Sequence, residues 1–230
     1  MRAAPISVMN SVLTSRWTKA AVFVACLAPL GLLVWKGLHE ELGANPVEFV
    51  EHATGDWTLR FLAITLAVSP LRKLARLPQL IRLRRMLGLF AFFYGCLHFS
   101  IYITLDQSLD LAAMWQDVMK RRYITAGFTG FALMIPLAIT STAGWVRRMG
   151  GKRWQMLHRA IYISAVAGVI HYYWLVKSDV REPLLYAGIM AALLVWRVTD
   201  RYRRKPKRAG FGGKSPAGSG LETEAPRLSD

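Results

Sequence analysis

Residues Met86–Leu105 read MLGLFAFFYGCLHFSIYITL, a run of twenty positions that contains no Asp, Glu, Lys or Arg. A helix of about 20 mostly apolar residues is long enough to cross the hydrocarbon core of a bilayer. The run also contains one histidine, His98, in its second half. This stretch therefore predicts a membrane-spanning helix that carries an imidazole at membrane depth.

Five other apolar runs flank this one. We predict spans at Lys19–Leu38, Thr54–Leu71, Tyr123–Thr142, Met156–Val176 and Pro183–Val198. Asp56 and Arg60 make the start of the second of these runs more polar than the others. We interpret the first run as a retained helix, because no convincing small-residue cleavage site follows it. The sequence thus predicts an all-α, polytopic membrane bundle of about six transmembrane helices.

The charged residues predict how the bundle is oriented. The net charge is +16, which in a soluble protein would suggest a nucleic-acid partner. Here, however, the basic residues occupy short segments between apolar runs, so we expect no nucleic-acid binding. Twenty of the 30 Lys and Arg residues fall before residue 20, in 72–85, in 147–153 and in 197–208. Because cytoplasmic loops are rich in Lys and Arg, both termini are predicted to be cytoplasmic.

The opposite side of the predicted bundle is acidic. Ten of the 14 Asp and Glu residues fall in or beside the other loops, between residues 40 and 56, 106 and 117, and 179 and 182. These loops are predicted to face the periplasm of a Gram-negative cell, with the chain in the inner membrane.

Three of the five histidines lie inside predicted spans: His98, His158 and His171. An ionisable side chain within a membrane span is costly, so it suggests a functional site. His98 and His171 fall at the same predicted depth, where two imidazoles on facing helices can hold one haem iron. His39 and His52 lie in or beside the first periplasmic loop and are interpreted as solvated histidines.

His158 has no obvious partner ligand at its own depth. It precedes His171 by 13 residues, a rise of about 20 Å and a rotation that leaves the two side chains roughly 140° apart on an ideal helix. A bulge near Gly168, or a shift in helix register, would aim both inward. On the segment that carries His98, the positions 14 and 13 residues before it would lie at the depth of His158. They are Arg84 and Arg85, which cannot ligate iron. A second haem would need an unusual partner or a shared ligand.

Two other metal chemistries receive less support from the sequence. Covalent c-type haem attachment needs a CxxCH motif, and the chain contains none. A zinc site usually has four ligands around one metal, whereas these histidines lie at two depths.

Six segments carry a resemblance to a known family. They are LGANPVEFVEHATG at Leu42–Gly55, IRLRRMLGL at Ile81–Leu89, LHFSIY at Leu97–Tyr102, TSTAGWVRRMGGKRWQMLHRAIY at Thr140–Tyr162, HYYWLVKSD at His171–Asp179 and PLLYAG at Pro183–Gly188. The chain resembles the MsrQ family, also called YedZ, over roughly residues 15–200. These proteins are similar in turn to the ferric-reductase-like transmembrane superfamily. The segment GKRWQ-x-LH is the most specific part of the match.

The resemblance implies a function and a set of site residues. MsrQ proteins are haem-binding membrane subunits of periplasmic protein-methionine-sulfoxide reductase systems, and they bind b-type haem and FMN. They take electrons from the quinone pool or a cytosolic flavin reductase and give them to a periplasmic molybdopterin subunit, MsrP, which repairs oxidised proteins. The family's haem histidines correspond to His98, His158 and His171, so one haem b, or two, is expected.

The charge pattern, the Gly-, Pro- and Ser-rich composition after Lys205 and the resemblance together predict a domain organisation. We expect a cytoplasmic N-terminal segment at 1–18, a ferric-reductase-like haem-binding transmembrane domain at 19–200, and a basic, then disordered, cytoplasmic tail at 201–230. In this interpretation the chain is a non-catalytic electron-transfer subunit, and no catalytic residue is assigned.

Two alternatives come from other functional classes. A transmembrane ferric or metal reductase would use the same haem but act without a periplasmic partner. A haem-free transporter or scaffold would fold and work normally after alanine replacement of His98 and His171.

Overall fold

The computed structural model describes residue 13 and residues 15–203, and this part of the chain is helical with no strand. The prediction of an all-α fold is confirmed. The predicted N-terminal segment and C-terminal tail lie largely outside the described residues. The helices are α1 Arg16–Leu38, α2 Pro46–Leu74, α3 Ile81–Ile101, α4 Leu111–Lys120, α5 Arg122–Ile139, α6 Ala143–Met149, α7 Gly151–Leu157, α8 Ala160–Leu175 and α9 Arg181–Arg203. A 3₁₀ turn, Pro78–Leu80, precedes α3, and a π-helical turn, Tyr102–Asp106, follows it.

Four helical stretches of the described chain are long and apolar enough to cross a membrane. They are Arg16–Leu38, Pro78–Asp106, Arg122–Ile139 and Arg181–Arg203. α2 and α8 correspond to the other two predicted spans, but α8 has only 16 residues and α2 carries several charged side chains. The count of six spans is compatible with this fold and stays a prediction.

α2 has more buried side chains than any other described helix, and its polar residues find partners inside the bundle. Seven of its side chains are buried, and it packs along α3. Its polar residues have partners on α9: Arg60 Nε donates to Tyr186 Oη at 2.8 Å, and Lys73 forms an ion pair with Asp200. A helix covered by other helices does not need the uniformly apolar surface of one that faces lipid.

The beginning of α2 brings additional residues towards the bundle. Asn45 caps the helix by accepting the Glu48 N–H at 3.3 Å, and Pro46 occupies the first turn, where its missing N–H costs little. The helix therefore begins eight residues before the predicted span at Thr54. This extension places Glu51 and His52 on an ordered helix.

The predicted span Met156–Val176 is not one continuous helix. α7 ends at Leu157, His158 and Arg159 form a turn, and α8 begins at Ala160. Of the two alternatives predicted for aiming His158 and His171 inward, a bulge near Gly168 is wrong, since α8 is regular there. The break at His158–Arg159 interrupts the helix register between the two histidines instead.

α5 and α8 pack closely because small residues line their interface. A Cβ at Gly130 would lie 3.3 Å from the Ser164 backbone oxygen and 3.4 Å from Ala167 Cβ. The Ser164 hydroxyl donates to the Gly130 carbonyl at 2.7 Å, across the same interface. Small residues and a polar side chain that bonds between helices are typical of membrane helix pairs.

Tyr94 of α3 fastens α1 to the bundle through a hydroxyl inserted into the α1 backbone. Its Oη donates to the Cys26 carbonyl at 2.9 Å and accepts the Leu30 N–H at 3.1 Å. In an uninterrupted helix, those two backbone groups would bond to each other. The insertion occurs beside Pro29, whose ring already disturbs the local helix.

We expect Tyr94→Phe to lower the stability of the protein by about 1–3 kcal/mol, because it removes both hydrogen bonds at a side chain that is 1% exposed. Thermal unfolding in detergent measures the effect. Tyr173→Phe, at an exposed position of α8, is the matched control. Equal unfolding temperatures for the two variants would mean that α1 closes its own hydrogen bond without the tyrosine.

Candidate functional site

The structure brings His98 of α3 and His171 of α8 together inside the bundle. Their ring centroids are 6.1 Å apart, and the ring planes are inclined by 74°. The two residues are 73 positions apart in sequence, so the folded bundle brings them together. The prediction that they share one depth therefore agrees with their placement.

Both rings are held by backbone carbonyls. His98 Nδ1 lies 2.9 Å from the Glu51 oxygen, and His171 Nδ1 lies 2.7 Å from the Tyr123 oxygen. A carbonyl can only accept, so Nδ1 carries the hydrogen in each ring. Each Nε2 then keeps its lone pair, which is the tautomer that ligates a metal.

Two glycines give the rings room to lie against neighbouring helices. A Cβ on Gly127 of α5 would be 2.7 Å from His171 Nδ1, closer than real Cβ contacts allow. A Cβ on Gly55 of α2 would be 3.2 Å from both Nδ1 and Cε1 of His98. The two histidines are therefore seated on glycines, and any larger residue would displace them.

A cavity of about 280 Å³ surrounds the histidine pair. Its wall comes from α2, α3, α5 and α8, with α4 and the π-helical turn at one end. The apolar part of the wall includes Leu59, Leu62, Phe131 and Met134. The polar end includes carboxyl, hydroxyl and guanidinium side chains: Glu51, Asp56, Tyr102, Asp106, Arg121 and Tyr123. The cavity is therefore amphipathic.

Glu51, whose backbone carbonyl holds the His98 ring, lies before the predicted span that begins at Thr54. Burial raises the pKa of Glu51 to about 7, and the carboxylates of Asp106 and Glu48 add to the rise. The carboxyl group is thus only partly ionised near neutral pH.

The residues of the cavity fit a haem that would be held by His98 and His171. Their ring centroids are 6.1 Å apart, which would allow both imidazoles to bind one metal ion at ligand distances of about 2 Å. The tautomers are correct for ligation, and the glycines open space beside both rings. A flat, largely apolar macrocycle with a charged edge also matches the amphipathic wall.

His158, the third predicted site residue, lies apart from this pair. Its Nε2 lies 3.1 Å from Thr140 Oγ1, and its ring stacks on Trp154 with centroids 3.9 Å apart. The Thr140 hydroxyl itself donates to the Pro136 carbonyl, so it accepts from His158 Nε2–H. In this conformation Nε2 is not free to ligate. A haem at His158 stays a prediction.

The two histidines interpreted as solvated differ in their surroundings. His39 ends α1, bonds to the Trp35 carbonyl at 2.9 Å and is exposed. His52 is also exposed, but it lies on α2 and lines the cavity. Sequence analysis did not identify Gly55, Gly127 or the two tethering carbonyls, because their roles arise from contacts between helices.

Comparison with known proteins identifies the family. Residues 54–169 match the family described as the ferric reductase like transmembrane component. A protein of Herminiimonas arsenicoxydans named protein-methionine-sulfoxide reductase heme-binding subunit MsrQ is 50% identical over 204 residues, covering 88% of this chain and 94% of that protein. A protein of the same name from Caulobacter vibrioides is 46% identical over 186 residues, covering 81% and 89%.

The similarity extends over most of each protein. A third relative of that name, from Ralstonia nicotianae, is 50% identical over 203 residues, covering 87% of this chain and 94% of that protein. The chain belongs to the MsrQ family, within the ferric-reductase-like transmembrane proteins.

Proposed function

We propose that this chain is the haem b-binding electron-transfer subunit of a protein-methionine-sulfoxide reductase system. The observation that carries the proposal is the pair His98 and His171, with both Nε2 atoms available and their ring centroids 6.1 Å apart. The relatives are named as haem-binding subunits of such systems, which agrees with this geometry. Haem supplies the one-electron carrier that no side chain of this chain provides.

The protein's own contribution is to hold the iron ligands and exclude water. The Glu51 and Tyr123 carbonyls fix the tautomer and orientation of His98 and His171. Hydrogen bonds of this kind also make an imidazole more basic, which tunes the potential of the metal it binds. The apolar wall and the surrounding helices keep the ligands away from bulk solvent.

We further propose the topology and domain organisation predicted from the charges. The chain lies in the inner membrane with both termini cytoplasmic, and residues 19–200 form the haem-binding domain between a segment at 1–18 and a tail at 201–230. The His98–His171 cavity then lies in the periplasmic half of the bilayer. One haem is assigned to it, while a second haem at His158 and an FMN are additional proposals that rest on the family resemblance.

The proposed acceptor is a periplasmic molybdopterin reductase, MsrP, and the proposed donor is the quinone pool or a cytosolic flavin reductase. Reduction of methionine sulfoxide to methionine consumes two electrons and two protons and releases water. A one-electron carrier must therefore transfer two electrons, one at a time, for each sulfoxide that is reduced. The acidic periplasmic loops are the proposed docking surface, and such electron-transfer contacts are usually small and transient.

Reconstitution in liposomes tests this function. The purified protein is supplied with a reduced quinone or a flavin reductase, and methionine-sulfoxide reduction is measured with and without MsrP. We expect sulfoxide reduction only when both proteins are present. Reduction of a ferric chelate at the same rate without MsrP would favour the metal-reductase alternative. A folded, haem-supplied protein with no haem spectrum would contradict both.

A further inference from the structure

The polar end of the His98–His171 cavity has one fixed positive charge. Among the described Lys and Arg residues, only Arg121 lines the cavity. It lies just after α4 and two residues before Tyr123, whose carbonyl holds the His171 ring. Arg121 is therefore close in the chain to one of the proposed iron ligands.

Two neighbours orient the Arg121 side chain without using up its donors. Its Nε lies 3.2 Å from Asp117 Oδ1, and its Nη1 donates to Tyr123 Oη at 3.2 Å. A guanidinium has five N–H groups, so these contacts leave three for another acceptor. The side chain is 54% exposed, which places it at the cavity mouth and leaves space for a ligand group beside it.

A second donor at this end lacks a partner. The Tyr102 hydroxyl is buried and has no hydrogen-bond partner among the described residues. Tyr102 lines the same cavity as Arg121, and the charges of Asp117 and Asp106 act on its hydroxyl together with that of Arg121. It is the first residue of the π-helical turn after α3, a distortion that often occurs at functional sites. A buried hydroxyl without a partner is costly, and it is available to donate to an acceptor that enters the cavity.

We infer that Arg121 and Tyr102 form an anion-binding end of this cavity and receive the carboxylates on the edge of the haem. The inference rests on the proposed haem binding and identifies which side chains orient the group. Arginine binds a carboxylate through two parallel N–H bonds, and a tyrosine hydroxyl donates one more. The opposite, apolar part of the wall offers no donor, so the carboxylates are placed where Arg121 and Tyr102 line the cavity.

The assignment predicts a change in haem affinity that depends on the haem carboxylates. Protein is produced in haem-limited cells and titrated in detergent with haem b or with its dimethyl ester, which lacks the charges. We expect Arg121→Gln to weaken haem b binding about tenfold or more, the value for loss of a charge-assisted bond, and to leave ester binding unchanged. Tyr102→Phe should also reduce the preference for haem b over its ester, but by less than Arg121→Gln does.

Arg122→Gln is the matched control. Arg122 is adjacent in sequence, exposed, and outside the cavity wall. Arg121→Lys keeps the charge and should retain most of the discrimination between haem b and its ester. The haem midpoint potential is an independent measurement: loss of the positive charge in Arg121→Gln should make it more negative, whereas Arg122→Gln should change it less.

The outcomes separate this inference from the proposed function. Suppose that wild-type protein binds haem b through His98 and His171, but that Arg121→Gln and Arg122→Gln have equal haem affinities and midpoint potentials. The assignment of Arg121 and Tyr102 as the anion-binding end is then wrong, while the proposed haem site is unaffected. If wild-type protein binds no haem, the proposed function fails as well. A variant that unfolds is recognised by its thermal transition, and Arg121→Lys then provides the comparison.

Discussion

Replacement of His98 or His171 by alanine is expected to remove the b-type haem from the purified protein. Each variant deletes one of the two proposed haem ligands, whose ring centroids lie 6.1 Å apart and whose Nδ1 atoms are held by backbone carbonyls. A haem that kept only one of these histidines would be bound more weakly. The measurement is the dithionite-reduced minus oxidised absorption spectrum, normalised to protein, together with methionine-sulfoxide reduction in the reconstituted system.

His39→Ala is the matched control for these variants. His39 is exposed, and it lies at the end of α1 outside the cavity wall, so its spectrum should equal that of the wild type. Imidazole added to His171→Ala should restore part of the spectrum, because the deletion leaves a space of the right shape. Haem retained at full occupancy in both His98→Ala and His171→Ala would show that the iron is held elsewhere.

The same spectra decide how many haems are bound. If His158→Ala loses about half of the absorbance while His98→Ala and His171→Ala lose the remainder, two haems are present. If His158→Ala keeps the full spectrum, one haem at the His98–His171 pair accounts for the protein. The hydrogen bond between His158 and Thr140 would have to break for His158 Nε2 to bind iron, so the His158→Ala spectrum is a direct test of the proposed second haem.

Gly127→Ala is expected to cause the second-largest loss of haem, although it removes no ligand. The added Cβ would lie 2.7 Å from His171 Nδ1, and that atom is already held at 2.7 Å by the Tyr123 carbonyl. The ring must therefore move and break its tether, or α5 must move away from α8. Overpacking of this kind typically costs about 1–3 kcal/mol. Haem occupancy and the electron paramagnetic resonance spectrum of the oxidised iron report the displacement.

Two other glycines provide a graded comparison. A Cβ at Gly55 would approach the His98 ring to 3.2 Å, so Gly55→Ala should have a smaller effect. Gly188 of α9 has no atom within 4 Å of the added Cβ, and Gly188→Ala should bind haem like the wild type. An equal response of all three variants would mean that loss of glycine, rather than contact with the histidines, is responsible.

Sequence patterns were sufficient to predict that His98 and His171 lie at the same depth. His98 and His171 could be paired because a span has a known rise per residue, so shared depth follows from counting along each helix. Depth does not reveal which atoms surround a ring. The glycines under the rings and the carbonyls of Glu51 and Tyr123 depend on how α2 and α5 are rotated, and a single sequence carries little information about rotation.

The misinterpretation around His158 has a similar cause. The apolar run Met156–Val176 predicts one helix, but a rotation of 100° per residue holds only along an uninterrupted helix. The turn at His158–Arg159 contains no proline or glycine, so nothing in the residues themselves predicts it. The short helices α4, α6 and α7 were also missed, since each is only 7 to 10 residues long.

The polarity of α2 has a consequence for how the protein is made. As a nascent chain leaves the ribosome, each helix partitions into lipid according to its own hydrophobicity, and a segment with Asp56 and Arg60 partitions poorly by itself. α3, its most extensive packing partner, is strongly apolar and follows after a short connection. We therefore expect α2 to wait beside the translocon until α3 emerges, so that the two enter the bilayer as a hairpin. The His98 tether to Glu51 would then be among the first long-range contacts that the chain makes during synthesis.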